Sequence, residues 1–203
     1  MKNKIIPLMI GTYMLLQPAA ALAKRYDGPI REISVKVVYD EEYASKAKKR
    51  KHIAIVEKAS KTLEEQVGIR LVIKGEGHWD SDDHQNNIHL SRREMEAEAG
   101  QGEYEILIGV TGQEYRETKR DRDGRLTEKV TYGVAEGLGF GNSVLICGDY
   151  NWPELLAEHE ILHLFGAEHT NALFSVMNTE PSSKRIDKKN KEIILRKKNR
   201  WFK

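Results

Sequence analysis

The sequence is poor in the residues that supply disulfides or thiolate metal sites. Its 203 residues include one cysteine, Cys147, which excludes both an internal disulfide framework and a multi-cysteine zinc ribbon. Any metal that the chain binds must therefore be held by histidine and carboxylate side chains. Cys147 lies in an apolar stretch, where we expect a small core residue, with a reactive thiol as the alternative.

Long hydrophobic runs are scarce as well. The longest, Ile5 to Leu16, has about 12 residues, whereas a helix that spans a bilayer needs about 20. Two lysines precede this run and Ala21-Leu22-Ala23 follows it, which is the order of a secretory signal peptide cut after Ala23. We therefore expect residues 1–23 to be removed, which leaves a secreted or periplasmic protein without a transmembrane anchor.

Neither charge sign dominates the chain that remains. The signal peptide carries two of the 33 basic residues and no acidic residue, so 31 basic and 31 acidic residues are left. Basic residues are concentrated from Lys184 onward. In this tail an apolar stripe at helical spacing predicts a helix packed on the body of the protein; it consists of Ile186, Ile193, Ile194 and Trp201. The alternative for the tail is contact with an anionic surface. No aromatic-basic motif accompanies it, so we expect no nucleic-acid partner.

Strands and helices alternate along the chain. Alternating or apolar stretches predict strands, and amphipathic stretches predict helices. The predicted strands are 30–39, 69–73, 104–110, 132–136 and 143–147, and the predicted helices are 41–67, 91–99 and 153–165. The fold class is therefore α/β or α+β, with one domain over residues 24–203.

A polar segment from Gly75 to Leu90 is predicted to be an exposed loop. Ser91 and Glu94 have the spacing of a capping box, so we expect the next helix to begin at Ser91. The loop is rich in residue types that bind metals. Two interpretations are open: the loop is solvated and binds no metal, or it forms a second metal site. The residues concerned are His78, Asp80, His84 and His89.

Another candidate for metal binding is the segment Asp121 to Gly124. The sequence Asp-Arg-Asp-Gly predicts a surface turn, because these residue types favour tight turns. A calcium site is the alternative, although two aspartates fall short of a full calcium loop.

The most specific pattern follows the last predicted strand. His159 and His163 are four residues apart in a predicted helix, so both imidazoles lie on one face and can share a metal ion. Glu160 lies about 100° round that helix, beside the metal, where its carboxylate can accept a proton from water. Gly166 can turn the chain sharply, and His169 then supplies a third nitrogen. Three protein ligands leave the fourth position of a tetrahedral zinc site to water, as in catalytic sites.

Residues 159–169, HEILHLFGAEH, match the extended zinc signature of the metzincin metalloproteases. Ser175-Val176-Met177-Asn178 resembles the Met-turn of the same family, in which a methionine lies below the metal. The link of eight positions between His169 and Met177 resembles that of matrixins more than that of reprolysins. Thr170 and Thr179 stand where subfamilies have characteristic residues, which leaves the subfamily open.

The resemblance implies a fold and a set of roles. The fold is a mixed, twisted sheet with a backing helix and a zinc-binding helix in an N-terminal subdomain (24–166), followed by a small C-terminal subdomain with a C-terminal helix (167–203). His159, His163 and His169 would bind one catalytic zinc ion, Glu160 would be the general base, and Met177 the hydrophobic floor. The substrate would lie antiparallel to the exposed edge of a rim strand near Gly133 to Leu138, in contact with Gly133, Val134, Ala135 and Glu136.

The resulting hypothesis is a secreted zinc-dependent endopeptidase that acts on proteins or peptides. The alternative is a secreted zinc-containing binding or toxin-like module in which proteolysis is lost or secondary and the basic tail directs targeting. Cleavage of a general protein substrate separates the two.

Overall fold

The computed structural model describes residues 25–43, 46–100, 102–120 and 123–202. The predicted signal peptide, residues 1–23, lies outside these residues and stays a prediction. Among the helices that are described, none has both the length and the apolar character needed to cross a bilayer.

A five-stranded sheet forms the centre of the fold. Its strands, in chain order, are β1 (Arg31–Tyr39), β2 (Ile69–His78), β3 (Ile106–Thr111), β6 (Gly133–Ala135) and β7 (Ser143–Cys147), while β4 (Tyr115–Arg120) and β5 (Leu126–Thr131) pair separately. The spatial order is β2-β1-β3-β7-β6; the first four are parallel, and β6 runs antiparallel to β7 at the edge. The expected mixed α/β fold is confirmed, with a mostly parallel sheet.

Helices cover both faces of this sheet. They are α1 (Lys46–Val67), α2 (Ile88–Ala99), α3 (Pro153–Leu164) and α4 (Lys188–Lys197). Residues of α1, α3 and α4 share one core with β1 and β3, whereas α2 packs on the opposite face. Every residue of β3 and β7 is buried, as expected for strands covered on both sides. Cys147 is buried at the end of β7, and burial raises the pKa of its thiol to about 12. A reactive thiol is therefore not supported.

The predicted loop at Gly75–Leu90 is partly wrong. β2 continues to His78 in parallel register with β1, and α2 begins at Ile88. Asn87 caps α2 by accepting a hydrogen bond from the His89 backbone N–H at 2.9 Å. The capping box at Ser91 is therefore also wrong, because the Asn87 side chain already satisfies a free N–H one turn earlier.

The hairpin of β4 and β5 was not predicted. It is a two-stranded antiparallel ribbon whose β5 residues from Leu126 to Lys129 are exposed, so it has no alternation of apolar and polar residues. Its connection contains the predicted turn at 121–124, of which Asp121 and Arg122 lie outside the described residues. The calcium alternative at this turn stays untested.

The C-terminal segment packs on the body of the protein through α4. Asp187 caps this helix by accepting a hydrogen bond from the Asn190 backbone N–H at 3.0 Å. Ile186 and Ile194 are buried, but Trp201 is 86% exposed, so its expected place in the packed stripe is wrong. Phe202 packs instead, with its ring centroid 5.5 Å from that of Phe165.

Candidate metal centre

The helix α3 supplies the first two histidines. Pro153 stands in its first turn, where a missing N–H costs no hydrogen bond. The helix ends at Leu164, and Gly166 adopts a φ of +82°, the left-handed region in which glycine avoids the strain of a Cβ atom. The chain therefore reverses at Gly166, as predicted, and returns to place His169 beside the helix.

Three imidazole nitrogens converge at this turn. The Nε2 atoms of His159 and His169 are 3.0 Å apart, those of His159 and His163 are 3.1 Å apart, and those of His163 and His169 are 3.2 Å apart. Nitrogens bound tetrahedrally to zinc at 2.0–2.1 Å lie about 3.3 Å from one another. The triangle therefore has the size of a zinc site.

Hydrogen bonds on the other ring nitrogens fix how two of these imidazoles can bind a metal. His159 Nδ1 donates to the Val176 carbonyl and His163 Nδ1 donates to the Ala167 carbonyl, both at 2.7 Å. The Nε2 atoms of His159 and His163 therefore carry lone pairs and face each other. A cation bound between them would accept these lone pairs. Burial lowers the pKa of His159 to about 3 and also lowers the pKa of His163, so both are neutral, as metal ligands must be. The donor set fits zinc.

The predicted Met-turn packs against the same site. Met177 is fully buried, and its carbonyl accepts a hydrogen bond from the Thr170 backbone N–H, directly after His169, at 3.0 Å. Ser175 Oγ donates to Asp187 at 2.8 Å and accepts from the Met177 N–H at 3.1 Å. The turn is thus tied to the third histidine on one side and, through Val176, to His159 on the other.

Glu160 faces the cleft from α3. Its side chain is 6% exposed, and burial raises the pKa of its carboxyl to about 8. Carboxyl groups with such raised pKa values are common at functional sites.

Gly133 leaves the space that the Glu160 carboxylate occupies. A Cβ atom at Gly133 would lie 2.7 Å from Glu160 Oε1 and 2.9 Å from its Cγ. We expect Gly133→Ala to displace the carboxylate and lower kcat about 10- to 100-fold, since misplacement of about 1 Å can reduce a rate that much. Steady-state kinetics checks this expectation.

Gly75→Ala in β2 is the matched control, since a Cβ there would meet only Lys36 Cγ at an ordinary 3.7 Å. Both variants should bind zinc like the wild type. Equal kcat values for Gly133→Ala and the wild type would contradict the assigned role of this glycine.

An open cleft of about 640 Å³ runs past the three histidines and Glu160 along β6. Of the four predicted substrate contacts, Gly133, Val134 and Ala135 line it. Glu136 is not among the residues that line it, and its contact with the substrate stays a prediction. Its Oε2 accepts a hydrogen bond from the Asn142 backbone N–H at 3.0 Å, which directs the side chain back toward the loop before β7.

Several cleft residues were missed by the sequence analysis. Lys129 on β5 lines the cleft, and burial, together with the charge of Lys129, lowers the pKa of His169. Tyr132 and Tyr150 also line it, with their ring centroids 4.8 Å apart. Only the order of the segments along the chain could have indicated these residues, because β5 leads directly into the predicted rim strand.

The candidate second metal site in the 75–90 segment is not assembled. Within the described part of the chain, His78, Asp80, His84 and His89 do not form a group of three with ligand atoms close together. His78 lies beside Tyr39, with ring centroids 6.2 Å apart, whereas His89 lines the cleft.

Comparisons with known proteins agree with this geometry. Residues 30–199 match the Reprolysin_5 model, which describes metallo-peptidase family M12. The fold is similar to that of archaemetzincin from Methanopyrus kandleri, with a TM-score of 0.60 and 15% sequence identity, over 83% of this chain and 97% of that one. No curated protein matches the sequence. Since the family model spans most of its length, the chain belongs to the M12 family of metallopeptidases.

Proposed function

We propose that this zinc peptidase is a secreted endopeptidase of the metzincin type, with His159, His163 and His169 as zinc ligands and Glu160 as general base. The observation that carries the proposal is the triangle of Nε2 atoms beside a buried carboxylate in an open cleft. The HEILHLFGAEH signature and Met177 support the metzincin type, with N- and C-terminal subdomains at 24–166 and 167–203.

A zinc ion bound to the three histidines supplies Lewis-acid activation of water and of the scissile carbonyl. Glu160 accepts a proton from the attacking water and later delivers it to the leaving amine. Val176 and Ala167 hold the two helical imidazoles in the tautomer that leaves Nε2 free. Backbone carbonyls thus orient the imidazoles, and one carboxylate transfers the proton.

The edge position of β6 favours an extended substrate. Its inner side pairs with β7, so its outer side offers backbone N–H and C=O groups to a peptide strand. Such pairing uses the main chain on both sides of the scissile bond, which favours cleavage within a chain over removal of a terminal residue. Family membership favours this peptidase over the alternative of a zinc-containing binding module.

We expect the purified protein to cleave denatured casein and internally quenched peptides, and to bind one zinc ion per chain. The chelator 1,10-phenanthroline should abolish cleavage, because it removes zinc, and added zinc should restore it. Mass spectrometry of the products distinguishes internal from terminal cleavage. Cleavage that survives complete zinc removal would overturn the assignment.

A further inference from the structure

A group of carboxylates lies outside the cleft, at the carboxyl end of β1. Asp40 directly follows β1, Glu41 and Glu42 lie in the 3-10 turn Glu41–Tyr43, and Asp83 comes from the loop after β2. One oxygen each from Glu41, Glu42 and Asp83 lies within 4.8 Å of the other two. Chain segments about 40 residues apart thus bring like charges together.

Asp40 adds a buried carboxylate to this group. Its side chain is fully buried, and its Oδ2 accepts a hydrogen bond from the Gly112 backbone N–H at 2.8 Å. Its Oδ1 and the buried Oε2 of Glu42 have no hydrogen-bond donor in the described part of the chain, and the two carboxyl groups are in contact. Two buried acceptors that face each other require a proton or a cation between them.

The surroundings supply little positive charge. No salt bridge joins any of the four carboxylates to a lysine or arginine among the side chains that the structure describes. His84 is the basic group that acts on Asp83, and the Ser81 N–H and hydroxyl each donate to Glu41 at 2.9 Å. Burial and the contact with Asp40 raise the pKa of Glu42 to about 7. Bringing these groups together without a lysine or arginine partner is therefore unfavourable unless a proton or a cation joins them.

We propose that Asp40, Glu41, Glu42 and Asp83 form a structural calcium site. Carboxylate oxygens are hard ligands, and oxygens that share one calcium ion at 2.3–2.6 Å lie at most about 5.2 Å apart, so three oxygens within 4.8 Å of one another can bind the same ion. Magnesium demands near-ideal octahedral geometry and is usually held by one or two carboxylates, so a group of four carboxylates favours calcium. Asp83 lies in the 75–90 segment but is not one of its four candidate ligands, and the site shares no residue with the 121–124 turn or with the three histidines.

A calcium ion here would tie the end of β1 to the loop after β2. The two are already linked by a hydrogen bond from the Trp79 backbone N–H to the Tyr39 carbonyl at 3.1 Å and by those from Ser81 to Glu41. The same loop leads into α2 and to His89, which lines the cleft. Calcium binding therefore stabilises a wall of the cleft without touching the reacting atoms.

The test uses the full zinc-loaded chain, with zinc content held at one per chain. About 5 mM calcium should raise Tm by about 5 °C, since a ligand that binds only the folded state stabilises it. Terbium, which replaces calcium, should luminesce when the buried Trp79 and Tyr43 nearby are excited, and calcium should quench this signal by competition. Asp83→Asn should raise the ion concentration that is needed for either response at least about tenfold, because it removes one of the charges that bind the ion.

Asp80→Asn is the matched control, because Asp80 is exposed in the same loop and lies outside the carboxylate group. Glu42→Gln provides a second variant at the buried pair, and it should lose the calcium response as well. The proposal is overturned if the wild type shows neither response, or if Asp83→Asn responds like Asp80→Asn. Peptidase activity is measured separately, so loss of the calcium site and loss of the proposed function are distinguishable.

Discussion

Glu160→Gln is expected to lower kcat by about 10²- to 10⁴-fold while one zinc ion per chain stays bound. Glutamine keeps the size of the side chain and its place beside Gly133, but it cannot accept a proton from water. The three histidines and their backbone carbonyl partners are unchanged, so the zinc affinity should be close to that of the wild type. Zinc analysis and kinetics on one quenched peptide measure both quantities.

Glu168→Gln is the control for this experiment. Glu168 also lines the cleft, but it is exposed and paired with Lys189 at 2.7 Å, so its loss should change kcat less than about threefold. A Glu160→Gln variant with wild-type kcat would assign the base to another group. A variant that had lost its zinc would show that Glu160 supports the metal site instead.

The zinc site was predictable because its signals are local. The spacing of His159 and His163, the reversal at Gly166 and the return of His169 all lie within 11 residues, and each step follows from helix geometry or glycine conformation. The sheet was predictable for a related reason, since strands covered on both faces, such as β3 and β7, are continuous apolar runs.

Features that depend on tertiary contacts were not predictable. The exposed ribbon of β4 and β5 has no alternating pattern, yet it places Lys129 in the cleft. Glu136 stands next to the rim strand, but its carboxylate accepts a hydrogen bond from the Asn142 N–H and does not line the cleft. The carboxylates of Glu41 and Asp83 become neighbours only when β1 and β2 pair. In each case the decisive partner is distant along the chain.

His169→Ala is expected to remove zinc binding and to lower activity by about 10⁴-fold or more, toward the uncatalysed rate. Removing a hydrogen-bond partner of a ligand already lowers metal affinity about 10- to 100-fold, so the loss of a ligand should have a larger effect. His169 is exposed, whereas His159 is buried and holds the Val176 carbonyl. The alanine variant at 169 should therefore fold, and its circular dichroism should match that of the wild-type protein without metal.

Thermal denaturation with and without zinc separates the ligand role from a packing role. Zinc should raise Tm in the wild type and leave Tm of His169→Ala unchanged, because a ligand stabilises only the state that binds it. His89→Ala is the matched control: His89 lines the same cleft but is not part of the triangle, so its variant should keep both zinc and the Tm response. Stoichiometric zinc in His169→Ala would mean that two helical imidazoles and another group suffice. The third nitrogen would then have to be sought among the other residues of the cleft.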